Sequence, residues 1–146
     1  MKELKILLVE DDIDHADLIT EVLETNGIRK EIILLKNGQE AIDYFQEGYV
    51  NTVEEMQDEV GLIILDLKLP KIDGMGVLKF LKKNPKYCSI PVVIFSTTSE
   101  IRVIAEGYRH GVNSFITKPI SYERFVEKMK VLKEYWLRTC ALPIHN

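Results

Sequence analysis

Leu62-Ile63-Ile64-Leu65-Asp66-Leu67-Lys68-Leu69-Pro70 decides how this chain folds. Four consecutive apolar residues followed by turn-forming ones read as a strand covered on both faces. A half-exposed strand would alternate apolar and polar positions instead. Asp66 then falls at the C-terminal end of that strand, the edge where open α/β sheets bind ligands. Three other short runs end on similar chemistry. Ile6-Leu7-Leu8-Val9 ends in Glu10-Asp11-Asp12, Val92-Val93-Ile94-Phe95 ends in Ser96, and Ser114-Phe115-Ile116-Thr117 ends in Lys118-Pro119. Acids, an acid, a hydroxyl and an ammonium form a set suited to a divalent metal and a phosphoryl group.

Helical patterns fill the spaces between the runs. Strands are predicted over 4–9, 31–35, 62–65, 91–95 and 114–117. A helix over 14–25 buries Ala16, Leu18, Ile19, Val22 and Leu23, and Asn26-Gly27 stops it. After Asn37-Gly38 comes a helix carrying Ala41, Ile42, Tyr44 and Phe45. A helix over 74–83 turns Val77, Leu78 and Leu81 inward and ends at Asn84, because a residue before proline avoids helical angles. A helix over 100–109 is expected to pack through Ile101, Ile104, Ala105 and Tyr108. Ser121 caps a last helix with Tyr122, Phe125, Met129, Leu132 and Trp136 on one stripe. Five βα units joined by right-handed crossovers give an α/β fold, a doubly wound five-stranded parallel sheet of order 2-1-3-4-5 with helices on both faces. One domain over 1–146 is expected, with a core of about 3–137 and a C-terminal extension of about 138–146. The polar segment 47–60 is a long connection for so small a core and reads as a surface loop.

Composition narrows the function. The chain has 146 residues, 46% of them hydrophobic and 29% charged, as in an ordinary soluble domain. A formal net charge of −4 argues against nucleic acid as the main partner. No apolar stretch is long enough to span a bilayer, and Met1-Lys2-Glu3-Leu4-Lys5 leads straight into a strand rather than a signal peptide. The expected location is therefore cytoplasmic, with Cys88 and Cys140 as reduced thiols.

In the 2-1-3-4-5 order the ends of strands 1, 3, 4 and 5 are adjacent. Glu10, Asp11, Asp66, Ser96 and Lys118 thus meet on one edge. Crowded carboxylates raise one another's pKa, and a hard cation such as Mg²⁺ relieves this while keeping waters and a phosphate oxygen as ligands. With a lysine it would neutralise charge on a transferring phosphoryl group, leaving Asp66 as a nucleophile able to form an acyl phosphate. Singly, each residue has a plainer reading: Asp12 or Asp14 as a helix cap, Ser96 as a loop hydroxyl, Lys118 as a surface charge. His15 reads as an exposed first-turn residue, since Mg²⁺ favours oxygen ligands. His110 reads as a cation at a helix C-terminus and His145 as part of a tail.

Taken together, the stretches 6–12, 62–74, 90–98 and 114–119 resemble the receiver domain of two-component response regulators along essentially the whole chain. The resemblance implies that Asp66 accepts a phosphoryl group from a histidine kinase in a Mg²⁺-dependent reaction, with Mn²⁺ as a substitute metal. It implies that Glu10, Asp11, Asp66 and the Lys68 backbone carbonyl hold the metal. Lys118, Ser96 and Thr97 would stabilise the phosphoryl group, and Ser96 with Phe115 would form the switch. The surface of helix 4, strand 5 and helix 5 would then signal to an unidentified downstream protein. No output domain is expected, so the receiver would stand alone. The Lys68 side chain has two readings, a solvated lysine or, with Thr98, a modulator of the phosphoryl lifetime.

Tyr135-Trp136-Leu137 and the segment 140–144 run beyond what the sheet needs for cover. Trp136 and Leu142 either fold back on the domain or expose an apolar partner site. With the long 47–60 loop, this end is similar to receivers that partner phytochrome-type histidine kinases, some of which are homodimers. Rival functions are a Mg²⁺-dependent phosphohydrolase, a flavodoxin-like flavin binder and a phosphorylation-independent scaffold. The first lacks a second acid two residues after Asp66, where Lys68 stands. The second would face repulsion between flavin phosphate and Glu10-Asp11-Asp12.

Overall fold

The computed structural model describes residues 4–25, 30–46 and 60–143. Its strands are β1 (Leu4–Val9), β2 (Lys30–Leu35), β3 (Val60–Leu65), β4 (Val92–Ser96) and β5 (Ser114–Thr117). They form one parallel sheet in the order β2-β1-β3-β4-β5, as the apolar runs predict. The helices are α1 (Ile13–Glu24), α2 (Gly38–Gln46), α3 (Gly74–Lys83), α4 (Ile101–Arg109) and α5 (Tyr122–Lys133), with a π-helical stretch at Glu134–Thr139. The expected stop at Asn26-Gly27, the segment 47–59 and His145 lie outside the described residues.

Every residue of β3 and β4 is buried, because both faces of the sheet are covered. On one face Leu7, Val9, Ile63, Leu65, Val92 and Ile94 pack against α2 and α3. On the other, Ile6, Leu8, Leu62, Ile64, Val93 and Phe95 meet α1 and α5. Asp12 and Ser121 cap helices as expected, and Asp73 adds another cap. Asp12 accepts from the amides of Asp14 and His15, Asp73 from Gly76, and Ser121 from Arg124. The C-terminal end of α1 is closed from a distance: the buried Lys133 of α5 donates to the carbonyls of Val22 and Thr25 and to the Thr25 hydroxyl.

One helix is turned differently from the prediction. Ile101 and Tyr108 are 84% and 51% exposed, and Ala105 is also on the surface. α4 meets the sheet through Val103 and buried Gly107, roughly a third of a turn away. The cause is a close approach: a Cβ on Gly107 would lie 3.2 Å from Phe115 and 3.6 Å from Ile94. The smallest residue seats the helix, and its larger apolar stripe faces out. Tyr108 still has a structural task, since its hydroxyl accepts from the Phe115 amide at 3.1 Å. Lys128 of α5 likewise donates to the Thr117 carbonyl at 2.9 Å, so two backbone groups of the edge strand β5 are bonded to side chains.

The C-terminal end folds back. Trp136 is buried in the α1/α5 layer, with Leu137, Cys140 and Leu142 packed against it. The Cys140 amide reaches the Tyr135 carbonyl, five residues back, in the π-type pattern. Trp136→Ala is therefore expected to cost about 3 kcal/mol or more, seen as a lower urea midpoint at unchanged slope. A neutral substitution would mean that this end adds nothing to the core.

Candidate metal and phosphoryl-acceptor site

Glu10, Asp66, Ser96, Thr97 and Lys118 sit at or one step beyond a strand end, Asp11 and Lys68 two and three steps beyond, and Phe115 inside β5; the sheet's own hydrogen bonds hold three of them. Glu10 donates its amide to Leu35, Asp66 to Val9 and Lys118 to Ser96, at 3.0, 3.0 and 2.7 Å. The ladder thus continues past the last strand residues and fixes where their side chains start. The turn after Asp66 is equally constrained. The Gly74 amide bonds the Leu67 carbonyl, and a Cβ on Gly74 would lie 2.1 Å from the Asp66 carbonyl oxygen. Only glycine fits between that turn and the start of α3.

The Lys118 ammonium is the centre of the cluster. It is 3% exposed and donates to Glu10 Oε1 and, at 3.0 Å, to Asp66 Oδ2. It also lies 5.9 Å from the centre of the Phe95 ring. Asp66 Oδ1 accepts from the Leu67 amide at 2.7 Å, and Glu10 Oε2 from the Asp12 amide at 3.2 Å. Burial pushes the Glu10 carboxyl from 4.5 up to about 7, against the pull of the Lys118 hydrogen bond. For Asp66 burial acts in the same direction, but the Lys118 charge and neighbouring hydrogen bonds outweigh it and hold the group below its ordinary 3.8. The protein therefore keeps Asp66 ionised while Glu10 resists a second buried negative charge.

The donor set fits a hard divalent cation. Carboxylate oxygens of Glu10, Asp11 and Asp66 lie within 4.8 Å of one another, and Asp11 is exposed on the open side. Three carboxylates against one ammonium leave an excess of negative charge. Ser96 is fully buried, and its hydroxyl makes no full hydrogen bond among the described residues, though it is near enough to Asp66 to help hold that carboxyl low. Thr97 and Lys68 are exposed next to these elements, and among the described residues no hydrogen bond or ion pair ties either side chain to the cluster. Phe115 stands apart, partly buried beneath α4 at Gly107.

Sequence reasoning missed one member. His15 was expected on the surface, yet it is partly buried with Nδ1 3.0 Å from the Lys118 ammonium. With Asp12 as the cap, His15 is the third residue of α1, and it meets Lys118 only where the end of β5 brings that lysine.

Comparison with known proteins identifies the family. The family described as "Response regulator receiver domain" matches residues 6–130. The chain is 37% identical over 134 residues to the probable methanogenesis regulatory protein FilR2 of Methanothrix harundinacea, covering 90% of this chain and 83% of that one. It is 36% identical over 138 residues to the response regulator Rcp1 of a Synechocystis species, covering 94% and 92%. Among solved structures, the phosphorylated cyanobacterial phytochrome response regulator RcpA superposes with a TM-score of 0.87 at 36% identity, covering 97% and 99% of the two chains. The Mn²⁺-bound form of Rcp1 gives 0.86 at 35%, covering 95% and 98%. Fold, edge chemistry and likeness lead to one assignment: this chain belongs to the response regulator receiver domains, the phosphoryl-accepting signalling modules of two-component systems.

Proposed function

We propose that Asp66 is the phosphoryl acceptor, that Glu10, Asp11 and Asp66 with the Lys68 carbonyl hold Mg²⁺, and that a phytochrome-type histidine kinase is the donor. The observation that carries the reading is the buried triad of Asp66, Glu10 and Lys118, with an ionised nucleophile beside an ammonium. Mg²⁺, when bound, neutralises charge on the transferring phosphoryl oxygens. Asp66 Oδ attacks phosphorus, and the bond from phosphorus to the donor histidine nitrogen breaks. Lys118 exchanges a carboxylate for a phosphoryl oxygen, and the Ser96 hydroxyl donates to another. Likeness to Rcp1 and RcpA supports the choice of kinase class. The test is phosphotransfer from a panel of histidine kinases, phytochrome-type ones included. Transfer at equal rates from unrelated kinases would overturn that choice.

Metal binding carries a pH signature. Glu10 must lose its proton to act as a ligand, so Mg²⁺ affinity should rise by about tenfold per pH unit up to about 7 and then level off. The metal-free fold should behave oppositely. A carboxyl raised from 4.5 to about 7 contributes stability that is full below 4.5 and lost as pH rises through 7. The thermal shift produced by saturating Mg²⁺ should therefore grow across this window, and a pH-independent shift would count against Glu10 as a ligand.

The output face is proposed to be α4, β5 and α5. Ile101, Tyr108, Ile120 and Tyr122 are exposed there, and a groove of about 440 Å³ runs beside Ile116, Val131, Tyr135 and Trp136. Either a downstream protein or a second copy of the chain would use this face. Light scattering with and without phosphodonor distinguishes the two. Free cysteines, one of them exposed, suit the cytoplasm as the place of action.

A further inference from the structure

The Lys118 ammonium has three hydrogens and three near partners: Glu10 Oε1, Asp66 Oδ2 and His15 Nδ1. An ammonium is only a donor, so the ring nitrogen facing it must present its lone pair, and the His15 proton sits on Nε2. The same Nδ1 is 3.7 Å from Asp12 Oδ2, beyond hydrogen-bond distance, so the contact with Lys118 is the one it makes. The ring is held for this task. It lies 5.2 Å from Phe125, which in turn lies 5.1 Å from Phe95, the ring that Lys118 overlies.

We infer that His15 is a positioning residue for Lys118, an acceptor that keeps the ammonium aimed at the acceptor carboxylate while its other two partners change. This rests on the reading of Asp66 as the phosphoryl acceptor. During the reaction Glu10 is drawn to the metal, and Asp66 becomes an acyl phosphate. His15 is neither a metal ligand nor a phosphoryl contact, so its bond to Lys118 persists in every state. Without it the ammonium would rest on Glu10 and Asp66 alone and would compete more strongly with the cation for Glu10.

Two variants separate acceptor from ring. His15→Phe keeps an aromatic ring against Phe125 and removes the lone pair. His15→Asn places an amide oxygen where Nδ1 stands and removes the ring. Mg²⁺-dependent labelling by acetyl phosphate should slow by about tenfold in His15→Phe, the size of one hydrogen bond to a charged group, and recover in His15→Asn. Mg²⁺ should bind more weakly to the Phe variant than to the Asn variant. Thermal unfolding is measured alongside, and His15→Ala replaces the Phe variant should that one not fold. Wild-type rates in His15→Phe, or equally slow labelling in His15→Asn, would overturn the inference. Absence of labelling in the wild type would instead remove the reading of Asp66 on which it rests.

Discussion

Asp66→Asn is expected to lose Mg²⁺-dependent labelling by acetyl phosphate, by at least about a thousandfold, while remaining folded. The amide cannot donate an electron pair to phosphorus as a carboxylate does, so no acyl phosphate forms. Its carbonyl can still accept from the Leu67 amide, as Asp66 Oδ1 does at 2.7 Å, so the turn into α3 keeps its anchor. The substitution also removes the charge that helps raise Glu10, so the Glu10 carboxyl should titrate lower than in the wild type. Intact-mass measurement after phosphodonor treatment reads the first effect, and thermal unfolding checks the fold. Undiminished labelling would move the acceptor to another residue.

Lys118→Met should affect both chemistry and folding. The methionine fills much of the same space without the charge. Glu10 and Asp66 are then left in a buried site without their ammonium, a situation that costs about 3 kcal/mol when one partner of a buried pair is removed. That loss should be largest in chelator and smaller with saturating Mg²⁺, because the cation takes over part of the neutralisation. Labelling should nevertheless stay slow by about a hundredfold or more even with metal, since the metal cannot supply the ammonium's contact with the phosphoryl oxygens. Denaturant titrations with and without Mg²⁺, run beside labelling rates, separate the effects. A variant with wild-type labelling would show that Lys118 only offsets the carboxylates of the metal-free protein.

The fold was legible because burial on both faces leaves unbroken apolar runs. Those runs end where the chain turns, so Asp66, Glu10, Ser96 and Lys118 could be placed on one edge before any contact was known. Less legible was anything set by approach distance. The α4 stripe of Ile101, Ile104, Ala105 and Tyr108 has the right period for a buried face, but Gly107 lets a face roughly a third of a turn away come closer to the sheet. The cap supplied by Lys133 joins residues more than a hundred positions apart and has no local signature. His15 belongs to the same class: its role depends on where a lysine from β5's end arrives, which periodicity along α1 does not encode. The C-terminal segment left two readings open because amphipathic pattern alone does not say whether an apolar residue meets its own domain. Trp136 meets its own.

β5 ends the sheet, and a bare edge strand is a template for another strand to join. Here the Phe115 amide is held by the Tyr108 hydroxyl and the Thr117 carbonyl by the Lys128 ammonium. Both groups would have to be freed before a foreign strand could pair, so sheet-to-sheet polymerisation is obstructed at its first step. The exposed apolar side chains of α4 can then meet another protein by helix-side contacts, and that face stays sticky while the β5 edge beside it does not.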